Sequence, residues 1–213
     1  MRILRLALSW VLLIARAVAR MMLLKSLPWR RIYRFIGAPL LWLFLFYIFV
    51  WIAYSQGYRL NVSRSMPLGF YKLQPRPANL QRGDLVVFCL PAEQLPKRLV
   101  LPKSNDCPSG ALPFLKTIVG IPGDYVQTLP NGVFVNGALV AGSGCSDNAQ
   151  LPCKPYQKTL PTGEYWVFGS GASAHLAAHS FDSRYFGPID IDSIAGVAYR
   201  LYLLTGGGER PVN

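Results

Sequence analysis

Residues Phe35 to Tyr58 form a run of 24 without one charged side chain, and its centre, Leu40 to Ile52, is entirely aromatic or branched aliphatic. A helix needs about 20 such residues to cross a bilayer, so the run is long enough to span one. A core helix of a soluble protein would carry a polar stripe, and none breaks this one. Before the run stand Arg2, Arg5, Arg16, Arg20, Lys25, Arg30, Arg31 and Arg34, with no acidic residue among the first 34. Basic residues collect on the cytoplasmic side of a membrane helix, which places the N-terminus inside and the chain after residue 58 outside. The same asymmetry accounts for eight of the 12 net positive charges. A nucleic-acid-binding domain would instead carry its basic residues in the folded body, so nucleic acid is not expected as a partner.

Within the first 24 residues Arg2, Arg5, Ser9, Arg16 and Arg20 fall in one arc of a helical wheel, with Leu, Ile, Val and Ala around the rest. This pattern predicts a cationic amphipathic helix on the inner leaflet, where Arg reaches anionic lipid. The expected organisation is a cytoplasmic basic segment over 1–34, an uncleaved transmembrane helix over 35–58 and an outer domain over 59–213.

The outer domain reads as mostly antiparallel β structure. With 17 Pro and 19 Gly in the chain, a helical bundle is disfavoured. Asp84 to Leu90, Leu115 to Ile121, Tyr125 to Leu129, Val133 to Val135, Glu164 to Phe168 and Ile194 to Leu204 have the β-branched and aromatic content of strands. Pro130-Asn131-Gly132 predicts a hairpin turn between two of them. Residues 141–162 read as a polar insertion loop. Cys89, Cys107, Cys145 and Cys153 all follow the membrane run, on the side where disulfides persist. Four cysteines allow three connectivities, and proximity along the chain favours Cys89 with Cys107 and Cys145 with Cys153. Their spacing is not that of a zinc site, so no metal and no cofactor is expected.

The chemistry is carried by four boxes in order. Ser63-Arg64-Ser65-Met66-Pro67-Leu68-Gly69-Phe70-Tyr71 follows the membrane run. Arg82-Gly83-Asp84-Leu85-Val86-Val87-Phe88, then Leu115 to Asp124 around Lys116, and last Ser180 to Gly187 come after it. Together they resemble the type I signal peptidases, most closely the TraF-type conjugal-transfer peptidases. The resemblance implies a Ser/Lys endopeptidase with Ser65 as nucleophile and Lys116 as general base. The alternatives are a general signal peptidase and, from another class, a non-catalytic membrane-anchored scaffold of a secretion complex.

Physical chemistry asks for such a pair. A serine hydroxyl attacks poorly until a base takes its proton, and a neutral amine within reach can do so. An ordinary lysine is almost wholly protonated at neutral pH, so the base must be desolvated. In a strand Phe114, Lys116 and Ile118 share one face, which sets the amine between apolar neighbours. Ser63 matches the position of a helping hydroxyl for the oxyanion. Ser180 is expected to orient the amine, Asp182 to take a catalytic part, and Arg184 to pair with Asp182. Met66 and Leu115 are expected to line the substrate groove. Gly169-Ser170-Gly171 departs from the Gly-Asp-Asn of the housekeeping enzymes and reads as a plain loop. His175 and His179 read as loop histidines, although a Ser65, His179 and Asp182 triad is conceivable. Ser65 lies about seven residues beyond the run, at most ~25 Å of extended chain, so the substrate is expected to be a membrane-inserted precursor. The resemblance further implies cleavage after small residues of a pilin-like subunit, in a bacterial inner membrane with the catalytic domain periplasmic. It also implies the lipid bilayer and other conjugation-apparatus proteins as partners.

Overall fold

The computed structural model describes residues 33–63, 65–95, 104–145, 152–170 and 180–204, together with Leu13, Ala15, Arg16 and Ala177. The amphipathic pattern of the first 24 residues and the His175/His179 pair therefore lie almost wholly outside the described residues. The chain divides into two units, Met1–Ser55 and Gln56–Asn213.

In the first unit a π-helical turn, Tyr33–Gly37, leads into α1, Ala38–Ser55. The stretch Phe35–Ser55 is long and apolar enough to cross a membrane, and none of it is buried by protein. Its large side chains, Trp42, Phe46 and Phe49 among them, face outward all round, as a helix solvated by lipid requires. The helix ends at Ser55, three residues before the expected boundary. Tyr58 already pairs as the first residue of a strand, because Gln56 and Gly57 turn the chain and the Gly57 carbonyl accepts from Leu73 N at 2.8 Å.

The second unit is mostly antiparallel β. In chain order its strands are β1 Tyr58–Asn61, β2 Gly69–Pro75, β3 Leu85–Phe88, β4 Phe114–Gly120, β5 Tyr125–Leu129 and β6 Gly132–Val135. They continue as β7 Ala138–Leu139, β8 Gln157–Thr159, β9 Glu164–Phe168, β10 Ile189–Asp190 and β11 Ile194–Leu203. One short helix, α2 (Ser183–Phe186), precedes β10. A seven-stranded sheet runs β1-β2-β11-β3-β4-β9-β10, and a four-stranded sheet runs β7-β6-β5-β8. Pro130 and Asn131 connect β5 to β6, with Leu129 opposite Gly132, as the turn residues predict. The supposed insertion loop is not free of structure, because β8 lies in it and pairs with β5.

Alternation along β3 and β4 decides what lies beneath the site. Val86 and Phe88 face one cluster with Ile118, Val167, Phe186 and Ile189, while Leu85 and Val87 face another with Met66, Tyr71 and Ala198. A third cluster of Val126, Val133, Val135, Leu160 and Trp166 joins β9 to the small sheet. Arg82 and Asp124, 42 residues apart, form an ion pair, and Asp124 also accepts from Ile121 N and Asn136 Nδ2. Two of the sequence boxes thus brace each other where β4 turns into β5. Both cysteine pairs that proximity favours are disulfides, Cys89–Cys107 and Cys145–Cys153.

Candidate active site

Ser65 sits in the loop joining β1 to β2. Several groups shape that loop. The Asn61 side chain at the end of β1 accepts from Ser63 N at 3.1 Å and donates to the carbonyls of Ser63, Met66 and Pro67 at 3.1, 3.3 and 3.0 Å. Tyr71 Oη donates to the Pro67 carbonyl at 2.7 Å, and Leu204 N donates to that of Leu68 at 2.8 Å. Gly69 is required where the loop enters β2, because a Cβ there would stand 2.2 Å from the Tyr202 carbonyl oxygen. Ser65 is half-buried, and its hydroxyl lies 3.2 Å from that of the exposed Ser63.

Lys116 lies at the middle of β4, opposite Val86 of β3. Its side chain is 2% exposed and shares a strand face with Phe114 and Ile118, both of the first cluster. Burial pulls its pKa from 10.5 down to about 8; the Asp182 carboxylate opposes that fall and the Arg184 guanidinium adds to it. The amine donates to Ser180 Oγ at 3.0 Å, and in this conformation its hydrogen bond goes there rather than to Ser65. A buried ammonium in such surroundings is poorly solvated, which favours the neutral, basic form.

Gly169 joins the two halves. It follows β9 directly, where Phe168 pairs with Thr117, so it falls beside Lys116. A Cβ on Gly169 would stand 1.9 Å from Ser180 Oγ and 3.0 Å from the Ser65 carbonyl oxygen. The stretch taken for a plain loop therefore begins with a residue whose missing side chain lets the β1–β2 loop and Ser180 approach each other. Sequence reasoning missed Gly169 and Asn61. The signal for Gly169 was its place at the head of a box that departs from the housekeeping pattern, and that for Asn61 was its position two residues before Ser63.

Asp182 and Arg184 are both fully buried. Asp182 caps α2, and its carboxylate accepts from Arg184 Nε at 2.8 Å, Arg184 Nη2 at 2.9 Å and Gly169 N at 3.1 Å. Arg184 also donates to the carbonyls of Gly144, Ala177 and Ser180 at 2.6, 2.6 and 3.1 Å. The expected charge pair is present. The Asp182 carboxylate is bound to Arg184 and the Gly169 backbone, and it acts on Lys116 through its field. Met66 has no exposed surface and packs against Tyr71, Leu85 and Val87, with Ser170 Oγ 3.9 Å from its sulfur, so it does not face a groove as expected. Leu115 lies half-buried beside the same cluster.

A family profile described as signal peptidase, peptidase S26, matches residues 29–203. The chain belongs to that family. Among S26 relatives and similar proteins, the conjugal transfer protein TraF of Agrobacterium fabrum is 32% identical over 148 residues, 67% of this chain and 80% of the relative. A plasmid transfer protein TraF of Escherichia coli is 31% identical over 153 residues, 68% of this chain and 82% of the relative. The crystal structure of a signal peptidase I from Enterococcus faecalis is 24% identical, covers 56% of this chain and 96% of that chain, and superposes with a TM-score of 0.33. Membership of the S26 family implies serine peptidase chemistry acting on a protein substrate.

Proposed function

We propose that this S26 protein is a membrane-anchored endopeptidase that matures a membrane-inserted, pilin-like precursor for conjugation. In this reading Ser65 and Lys116 form its catalytic dyad. The observation that carries the reading is the buried Lys116 amine, shifted toward its neutral form by desolvation and bonded to Ser180, with only Gly169 between Ser180 and the backbone of Ser65. The TraF relatives support the assignment to conjugation.

In the reaction the neutral Lys116 amine takes the proton of Ser65 Oγ as that oxygen bonds to the scissile carbonyl carbon. The oxyanion is met by the Ser65 backbone N–H and the Ser63 hydroxyl. As the C–N bond breaks, the Lys116 ammonium returns the proton to the leaving amine, and the acyl group stays on Ser65. Lys116 then serves again as base for the group that releases it. Either water or the precursor's own N-terminus can be that group, giving a linear or a cyclic product. The helix Phe35–Ser55 anchors the enzyme, the N-terminus is cytoplasmic and the β domain faces the periplasm of the inner membrane.

Membranes carrying wild type or Ser65→Ala, incubated with the precursor, test this directly. Mass spectrometry is expected to find the mature product with wild type only, and a cyclic product would be lighter than the hydrolysed one by one water. Lys116→Arg keeps the charge but cannot serve as a base near neutrality, so it should be as inactive as Lys116→Ala. Normal maturation by Ser65→Ala or Lys116→Arg would overturn the dyad.

A further inference from the structure

The two residues that flank the Cys145–Cys153 bond hold the same arginine. On one side the Gly144 carbonyl accepts from Arg184 Nη1 at 2.6 Å, and on the other Lys154 N donates to the Arg184 carbonyl at 2.7 Å. The disulfide joins these two strands of chain across a separation of eight residues. Both are rooted in the small sheet. Ser143 Oγ accepts from Val133 N at 2.8 Å and donates to the Val140 carbonyl at 2.6 Å, and the Tyr156 carbonyl accepts from Thr128 N at 2.8 Å. The Tyr156 ring also packs on Trp166, 4.7 Å between centroids. From Arg184 the connection continues to the Ser180 carbonyl and to Asp182, and Ser180 Oγ accepts from Lys116.

We propose that the Cys145–Cys153 disulfide is a positioning clamp for the general base: it fixes Arg184 against the small sheet, and Arg184 in turn holds Ser180 against Lys116 and keeps water out. The inference rests on Lys116 being the base. Among the described residues Cys89–Cys107 has no such link. It ties the end of β3 to the segment before β4, where Cys89 N donates to the Ser193 carbonyl.

The direction of the effect follows from what surrounds the amine. The charges whose fields reach Lys116 are Asp182 and Arg184, while β3 presents Val86 opposite it and β9 ends there at Phe168. Asp182 and Arg184 are bound to each other, and their fields on Lys116 oppose one another. Desolvation, the larger cause of the low pKa, is relieved by entering water when the clamp opens. Opening the clamp therefore raises the Lys116 pKa and removes neutral amine at pH 7.

The test follows the Lys116 side chain in the full-length protein in detergent micelles, with lysine labelled at Cε and the Lys116 resonance assigned by its loss in Lys116→Met. Its titration is compared in wild type, Cys145→Ala/Cys153→Ala and Cys89→Ala/Cys107→Ala. The first pair should raise the midpoint by about one unit, lowering the neutral fraction at pH 7 about tenfold, and the second should leave it where wild type has it. If Cys145→Ala/Cys153→Ala does not fold, reduction of Cys89→Ala/Cys107→Ala breaks the remaining bond in a protein already folded. An unmoved midpoint overturns the clamp, and so does global unfolding on that selective reduction, which would make the bond a staple of the whole domain. Failure of the dyad shows separately, as maturation of the precursor by Ser65→Ala while the titration results stand.

Discussion

Lys116 links burial to pH more directly than any other described residue. Its folded pKa is about 8, and in the unfolded chain it returns to about 10.5. Below pH 8 both states hold the proton and the native state bears the full cost of a desolvated ammonium. Between 8 and 10.5 the unfolded chain binds more protons than the native one, so stability rises with pH through that window. The gain is about 3 kcal/mol in all. Lys116→Met keeps the apolar fill without the charge, so it should be the more stable protein at pH 7 by an amount of that order. Urea unfolding of both proteins from pH 7 to 10.5 checks this, and a constant difference across the range would speak against a buried ammonium. The neighbouring Gly169 is sensitive for a steric reason. Gly169→Ala places a methyl on Ser180 Oγ, and the resulting shift of about 1 Å should cost about 10²-fold in kcat and, by overpacking a buried site, about 1–3 kcal/mol of stability.

At the level of elements, the β1–β2 loop that carries Ser65 and the α2 loop are held in different ways, and substitutions separate them. Asn61 gathers three carbonyls and one N–H of the β1–β2 loop. Asn61→Ala leaves those groups to find other partners, costing about 1–3 kcal/mol, and should lower kcat while the Lys116 titration stays in place. A displaced titration would mean that the two loops move as one. The α2 loop instead depends on a buried ion pair with every arginine nitrogen satisfied. Arg184→Ala strands the Asp182 carboxylate in the interior, a change worth about 3–5 kcal/mol, and should depress Tm sharply rather than only slow the reaction.

For the molecule as a whole, the three apolar clusters are, among the described residues, built from the second unit. A chain beginning at Gln56 should therefore keep the β-rich circular dichroism and cooperative unfolding of the full protein. Its solubility should depend on detergent, because Leu60, Phe70 and Tyr202 lie in register across β1, β2 and β11 and are about half exposed. Loss of the unfolding transition on truncation would show that the membrane helix is part of the domain's stability. All four cysteines are paired, so alkylation of unreduced membranes should leave the mass of the protein unchanged.

The apolar run, the charge asymmetry before it, the hairpin turn and the phase of β4 were legible in the sequence because each is a local pattern. A 24-residue uncharged stretch can be read without knowing its neighbours, and a period of two already puts Phe114, Lys116 and Ile118 on one face. The strands β1 and β2 were not anticipated, because their exposed aromatic and charged residues lack clear alternation and their pairing with β11 is distant in sequence. Tertiary structure alone decided what surrounds Ser65 and Lys116. It brought Gly169 against Ser180 and Ser65, buried Met66 behind the loop and set both ends of the Cys145–Cys153 loop on Arg184. Close approach and buried hydrogen bonding are properties of pairs of segments, and a chain read one position after another does not contain the distance between them.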